Sequence, residues 1–137
     1  DNAMGYYQTA IETEPEYYGS YIYVGKVYMK KGMNNKAIEY FNLSVMLNPG
    51  FPEPYLMLGN AYISGDRVDD AISNFIKAIE ADPFFVDAHI ALGLAFSKTG
   101  AFLDAQKEFE TALKLEPGNL EVLSYRNNLN DFLRQGQ

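Results

Sequence analysis

The chain contains no cysteine, no tryptophan and a single histidine among its 137 residues. Without cysteine there is no disulfide framework and no thiolate ligand for a metal. The absence does not choose between cytoplasm and periplasm. With one imidazole, His89, no Cys-His or Ser-His-Asp arrangement can be built beyond that ring, and His89 reads as a packing histidine rather than a ligand or base. Basic residues are also scarce: 11 Lys and Arg face 18 Asp and Glu, for a net charge of −7. Such a domain repels phosphate backbones and anionic membrane surfaces, so nucleic acid is not an expected partner. No apolar run approaches the roughly 18 residues that a membrane span needs. The segment DNAMGYYQTA has neither the basic nor the apolar region of a secretion signal. Glycines stand singly, with no phosphate-cradling loop. Asp66, Asp69 and Asp70 resemble a calcium loop only loosely. They lack its glycine and terminal glutamate, and read instead as a solvated turn that caps the next helix. No enzyme activity, cofactor or metal is expected within these residues.

What the chain does have is a period. Four of its six prolines, Pro15, Pro49, Pro83 and Pro117, stand 34 residues apart. Gly25, Gly59 and Gly93 keep the same step. So do Tyr28, Tyr62 and Phe96, then Ala37, Ala71 and Ala105, then Phe41, Phe75 and Phe109. Within a unit, Tyr55, Leu58, Gly59 and Tyr62 fall at helical spacing before Gly65-Asp66 breaks the run. Ala71, Phe75, Ala78 and Ile79 form a second stripe, which Asp82-Pro83 ends. Each unit is therefore a helical hairpin. Small residues such as Gly59 and Ala71 let its two helices approach, and Tyr62 and Phe75 are expected to fill the space between hairpins. One hairpin cannot bury its own apolar face, so neighbours must stack.

These residues resemble a known family. Tyr21-x-x-Val24-Gly25-x-x-Tyr28, Ala37-x-x-x-Phe41 and Pro49 are similar to the tetratricopeptide repeat pattern W-x-x-L-G-x-x-Y, A-x-x-x-F, P. Tyr55 and His89 take the tryptophan place in the next two copies. The resemblance implies an all-α fold, an alpha-alpha superhelix built as a right-handed solenoid of antiparallel hairpins. A single domain over 1–137 is expected, with full repeats at 18–51, 52–85 and 86–119. Residues 1–17 match the second half of a repeat, Ala3-x-x-x-Tyr7, Ala10, Pro15. Either the first helix is a native cap, or the chain is a fragment whose Met4, Tyr7 and Ile11 lie open to another copy, giving a homo-oligomer. Residues 120–137 read as a capping helix, with Val122, Tyr125, Leu129, Phe132 and Leu133 on one face and Asn127, Asn128, Asn130 and Asp131 on the other.

The resemblance also implies a use. The first helix of each hairpin lines a concave groove that takes a peptide or helix, so the expected partner is another protein or peptide. Projected onto this chain, the groove rows are Ile22, Leu56, Ile90 and Ser124; Lys26, Asn60, Leu94 and Asn128; Met29, Ile63, Ser97 and Asp131; and Lys30, Ser64 and Lys98. The apolar members either form a track for a guest or merely pack between hairpins. Lys26 and Lys30 either meet an acidic group of the guest or are simply solvated. Glu53, Asp87 and Glu121 sit in first turns, where they offset the helix dipole. Some relatives clamp the acidic tail of heat-shock chaperones. The comparable positions here are Ile22, Lys26, Met57, Asp87 and Ala91, so most of that clamp is missing. A self-assembling structural segment is the alternative function.

Overall fold

The computed structural model describes residues 2–137, and Asp1 of the expected half-repeat lies outside it. Eight α-helices follow one another: α1 (Asn2–Thr13), α2 (Tyr18–Lys30), α3 (Asn34–Leu47), α4 (Glu53–Ser64), α5 (Val68–Ala81), α6 (Val86–Thr99), α7 (Phe102–Leu115) and α8 (Leu120–Gln135). The described residues contain no strand. Each helix packs on the next. In addition, α2 approaches α4 and α4 approaches α6. The even-numbered helices therefore form the tighter, inner layer of an alpha-alpha superhelix.

The period has a direct steric cause. A Cβ built on Gly25 would lie 2.5 Å from Cε1 of Phe41, and one on Gly93 would lie 2.6 Å from Cε1 of Phe109; at Gly59 the approach to Phe75 is closer still. Each phenylalanine ring thus lies flat on the glycine of the preceding helix, within its own hairpin. Phe75, expected between neighbouring hairpins, lies there and also in the joint of its own hairpin. Phe75 fills the joint between α4 and α5, and it also meets Leu92 and Ala95 of α6 in one core cluster. Tyr62 does span hairpins, since it packs against the clusters on both sides of α4.

A second regularity explains the ring at the tryptophan place. The Tyr21 hydroxyl donates to the Pro15 carbonyl at 2.7 Å, and the Tyr55 hydroxyl donates to that of Pro49 at 2.8 Å. His89 Nε2 reaches the Pro83 carbonyl at 2.8 Å. A carbonyl only accepts, so Nε2 carries a proton. The position selects a flat side chain with a donor at its far edge, tying the start of each unit to the proline before it. His89 is buried, and its Nδ1 faces Glu108 Oε2 at 2.7 Å. It is the packing histidine expected, with both ring nitrogens bonded inside the protein.

The turns inside the hairpins place Gly32, Asp66 and Gly100 at equivalent points, and all three have positive φ: 75°, 57° and 83°. Asp66 is the one non-glycine. It does not cap α5, whose N-cap is Arg67 with no side-chain hydrogen bond. The expected cap is replaced by a strained turn, while Asp69 and Asp70 occupy the first helical turn. Asp66 is 91% exposed and lies 4.0 Å from the half-exposed Lys98, a pair of little worth. Asp66→Gly removes the left-handed penalty of about 1–2 kcal/mol, less the extra chain entropy glycine loses, about 0.5–1 kcal/mol. The variant should raise stability by about 0.5 kcal/mol in urea unfolding, and Asp66→Val should lower it. Equal midpoints for the three proteins would show that the turn carries no strain.

At the ends, two expectations change. Met4 is buried and Tyr7 half-buried, because α1 turns this stripe onto α2. Tyr7 stacks on Tyr23, with ring centroids 4.5 Å apart and planes 9° from parallel. What α1 leaves open is Tyr6. At the other end α8 buries Val122 and Leu129, and Asn119 caps it by accepting from the Val122 amide. Asn130 belongs to the packed side, where its side chain accepts from Gln106, whereas Phe132 stays largely exposed.

Candidate functional site

The sequence-derived groove residues divide into three groups. Ile22 and Leu56 are buried, with 4% and 7% of their surface exposed. Ile22 belongs to the core between α2, α3 and α4, and Leu56 to the core between α4, α5 and α6. They pack between hairpins and offer a guest nothing. Met29 and Ile90 are half-buried against the first and last core clusters. The expected apolar track therefore does not run along this row. It fails because α2, α4 and α6 approach one another closely at that point, so the side chains there are consumed by helix packing.

Of the two lysines, Lys30 is solvated, one of the two expected outcomes, whereas Lys26 departs from both. Lys26 forms an ion pair with Glu53 of α4 and lies 5.7 Å from the Tyr23 ring centroid. Glu53 thus joins two hairpins as well as sitting in a first turn. Lys30 is exposed at the end of α2. Asp87 and Glu121 remain first-turn carboxylates.

The third group comes together. Asn60, Ile63, Leu94 and Lys98 line one cleft of about 170 Å³ between α4 and α6, with Ala91 and Ala95 as part of its apolar lining. Leu94 also walls a second cleft, of about 310 Å³, between α6 and α8. That cleft is lined by Phe102, Tyr125, Leu129 and Phe132, with Ser97 and Asn128 supplying its polar atoms. The Phe102 and Phe132 rings lie 4.9 Å apart. Glu121 accepts the Tyr125 hydroxyl and thereby holds the phenol above its ordinary pKa. The ring is an apolar wall whose polar edge is already satisfied by Glu121. Leu94, 40% exposed, is the ridge between the two clefts.

The groove rows already held Ser97 and Asn128, but sequence reasoning gave Phe102 no role and assigned Tyr125, Leu129 and Phe132 to packing alone. One signal was available. Phe102 stands where the earlier units have Asn34 and Val68, and Phe132 adds an aromatic to α8 beyond what the stack can cover. Charge favours the same face. The even-numbered helices carry five basic and four acidic residues, whereas the rest of the chain carries six basic and fourteen acidic. The inner layer is near neutral while the protein as a whole is acidic. Among the described residues no group of three His, Asp or Glu side chains is placed to hold a metal ion, and no helix is long and apolar enough to cross a membrane.

Comparison with known proteins agrees with this architecture. A tetratricopeptide repeat profile matches residues 18–51 and 86–119, and a second TPR repeat profile matches residues 59–100. No curated protein matches the chain by sequence. Among solved structures, the crystal structure of MamA superimposes with a TM-score of 0.84 at 26% identity, over 93% of this chain and 75% of that one. The first TPR domain of Spaghetti (RPAP3), solved bound to the HSP90 peptide SRMEEVD, gives 0.82 at 22% identity over 85% of this chain and 93% of that one. YrrB, described as a TPR protein with an unusual peptide-binding site, gives 0.77 at 18% identity over 96% of this chain and 68% of that one. The repeated hairpins, the glycine–phenylalanine joints and these matches agree: the chain belongs to the tetratricopeptide repeat family.

Proposed function

We propose that the protein is a scaffold that binds a segment of another protein across Leu94, with one apolar side chain of the guest in each flanking cleft. The observation that carries this reading is the pair of adjoining apolar clefts on the inner layer, separated by one half-exposed leucine. Each is sized for one or two side chains. Together they present alternating pockets and a few polar edges, the arrangement by which helical grooves hold amphipathic or extended peptides. The peptide held by the Spaghetti domain supports a similar use of the fold. The guest differs, because Lys26 is the one basic residue among the positions comparable to the chaperone-tail clamp, and Glu53 already engages it.

The test is a random 12-mer peptide library selected on the protein. Leu94→Glu changes an exposed side chain, so the fold persists. It places a charge between the two pockets and should weaken the selected peptides about 50-fold or more, as expected for a central anchor worth over 2 kcal/mol. Lys36→Glu, on α3 of the outer layer, should leave affinity unchanged, and SRMEEVD should not compete. Selected peptides that bind the Leu94→Glu protein as tightly as the parent would end this assignment.

A further inference from the structure

The two clefts beside Leu94 are one site built twice. Phe75 lines the α4–α6 cleft, Phe109 stands 34 residues later in the α6–α8 cleft, and Leu94 is shared. Both walls of each cleft are helices of this chain. The two copies are not equal. Ala91, Ala95 and Lys98 of the first are replaced by Tyr125, Leu129 and Phe132 of the second. The first is the smaller, about 170 Å³ against about 310 Å³, and carries an ammonium group. The second carries an aromatic ring in its place. Lys98 keeps 52% of its side chain exposed and lies 4.0 Å from Asp66. So weak a pair leaves its charge available to a guest.

We infer that the guest is an α-helix with two apolar anchors seven residues apart, the smaller one flanked by an acidic residue; this rests on the binding role proposed above. Spacing argues against an extended guest. Packed helices lie about 8–10 Å apart, so clefts on the two sides of α6 are separated by roughly that distance. In an α-helix seven residues rise about 10.5 Å and return nearly to the same face. An extended strand covers the distance in about three residues, and side chains three apart point to opposite faces. A polyproline helix does match, rising about 9.3 Å in three residues, but its backbone has no internal hydrogen bonds and needs partners. The α6–α8 cleft offers only Ser97 and Asn128, and the Ser97 hydroxyl already donates to the Gly93 carbonyl at 3.0 Å. An α-helix arrives with its own backbone bonds made. Its residues three and four places after the first anchor lie over Leu94 and must be small. Lys98 then fixes direction along the groove. The anchor beside the acid enters between α4 and α6, and a larger, aromatic anchor enters between α6 and α8.

The probe is a fluorescein-labelled, hydrocarbon-stapled helix with Phe at i, Ala at i+3 and i+4, Leu at i+7 and Glu at i+8. The control has the same composition with Leu moved to i+5, off the binding face. Fluorescence anisotropy should show the probe binding about ten- to a hundredfold tighter than the control, as expected for one buried apolar anchor. Lys98→Glu changes a solvated side chain, so the fold persists. It should weaken the probe about three- to tenfold, and a probe with Lys in place of its Glu should recover the loss. Leu94→Glu should abolish binding of every probe. If probe and control bind alike, and both are lost on the Leu94→Glu protein, the helical guest is overturned while the groove keeps its role. A probe indifferent to Leu94→Glu would overturn both. No binding by the probe, or no recovery by the charge-swapped pair, would also overturn the guest described here.

Discussion

Phe75→Ala will lower the unfolding free energy by about 3–5 kcal/mol, the range for deleting a buried aromatic side chain. The ring is 1% exposed and lies in a cluster that joins α4, α5 and α6, so its loss opens a cavity at two joints at once. Gly59→Leu, on the other side of the same contact, is informative because propensity alone predicts the reverse. Leucine favours helix over glycine by about 1 kcal/mol. Here its Cβ would meet Phe75 Cε1 at less than any normal contact, against a ring already packed with Ala71, Leu92 and Ala95. Overpacking of this kind costs about 1–3 kcal/mol, so the net effect is destabilising. The double variant Gly59→Leu with Phe75→Ala should be more stable than the sum of the two predicts, because the new side chain enters the space the ring leaves. Urea unfolding followed by circular dichroism measures all three. Strict additivity would show that glycine and ring do not share one volume.

Leu56→Glu is the second large effect, and it concerns folding rather than binding. On sequence grounds Leu56 belongs with Ile90 on the groove floor, so a charge there should abolish capture and leave the helices intact. In the structure Leu56 is 7% exposed among Ala71, Phe75, Leu92 and Ala95. A carboxylate at that place has no partner, and its burial together with the lost packing costs about 4 kcal/mol or more. That is a large share of the 5–15 kcal/mol typical of a domain. The variant should lose helical signal well below the parent melting temperature. Leu94→Glu, by contrast, should melt within a few degrees of it. If Leu56→Glu melts with the parent and only binding is lost, Leu56 does face a guest.

The two side chains show how far the sequence could be read. Phe75 and Gly59 were legible as packing residues because each recurs every 34 residues, whereas their contact with each other appears only in the structure. A steric requirement met three times leaves a periodic trace, and all-helical hairpins follow from it. Leu56 and Leu94 stand on adjacent rows of equivalent helices, the first apolar in every unit and the second made of Lys26, Asn60 and Leu94. Their fates differ because the approach between neighbouring inner helices decides which row is consumed by packing, and spacing along one helix carries no information about that approach. The aromatics Phe102 and Phe132 break the period, so a search for repeats passes over them. The apolar clefts lie where regularity stops. Tyr21, Tyr55 and His89 are a middle case. Three different side chains obscured a single rule, a donor aimed at the preceding proline carbonyl.

The way each helix leans on its successor, with the inner layer as the one further tie, makes cohesion local. Among the described residues, interior hairpins such as that of α4 and α5 are gripped from two sides, whereas α1 packs chiefly on α2. Such a molecule melts like a zip, from its tips inward, and the Tyr7 tip parts while the Phe75 joint stays shut. Whatever clasps α1 thereby shifts the point at which unravelling starts, and steadies the whole chain from one end.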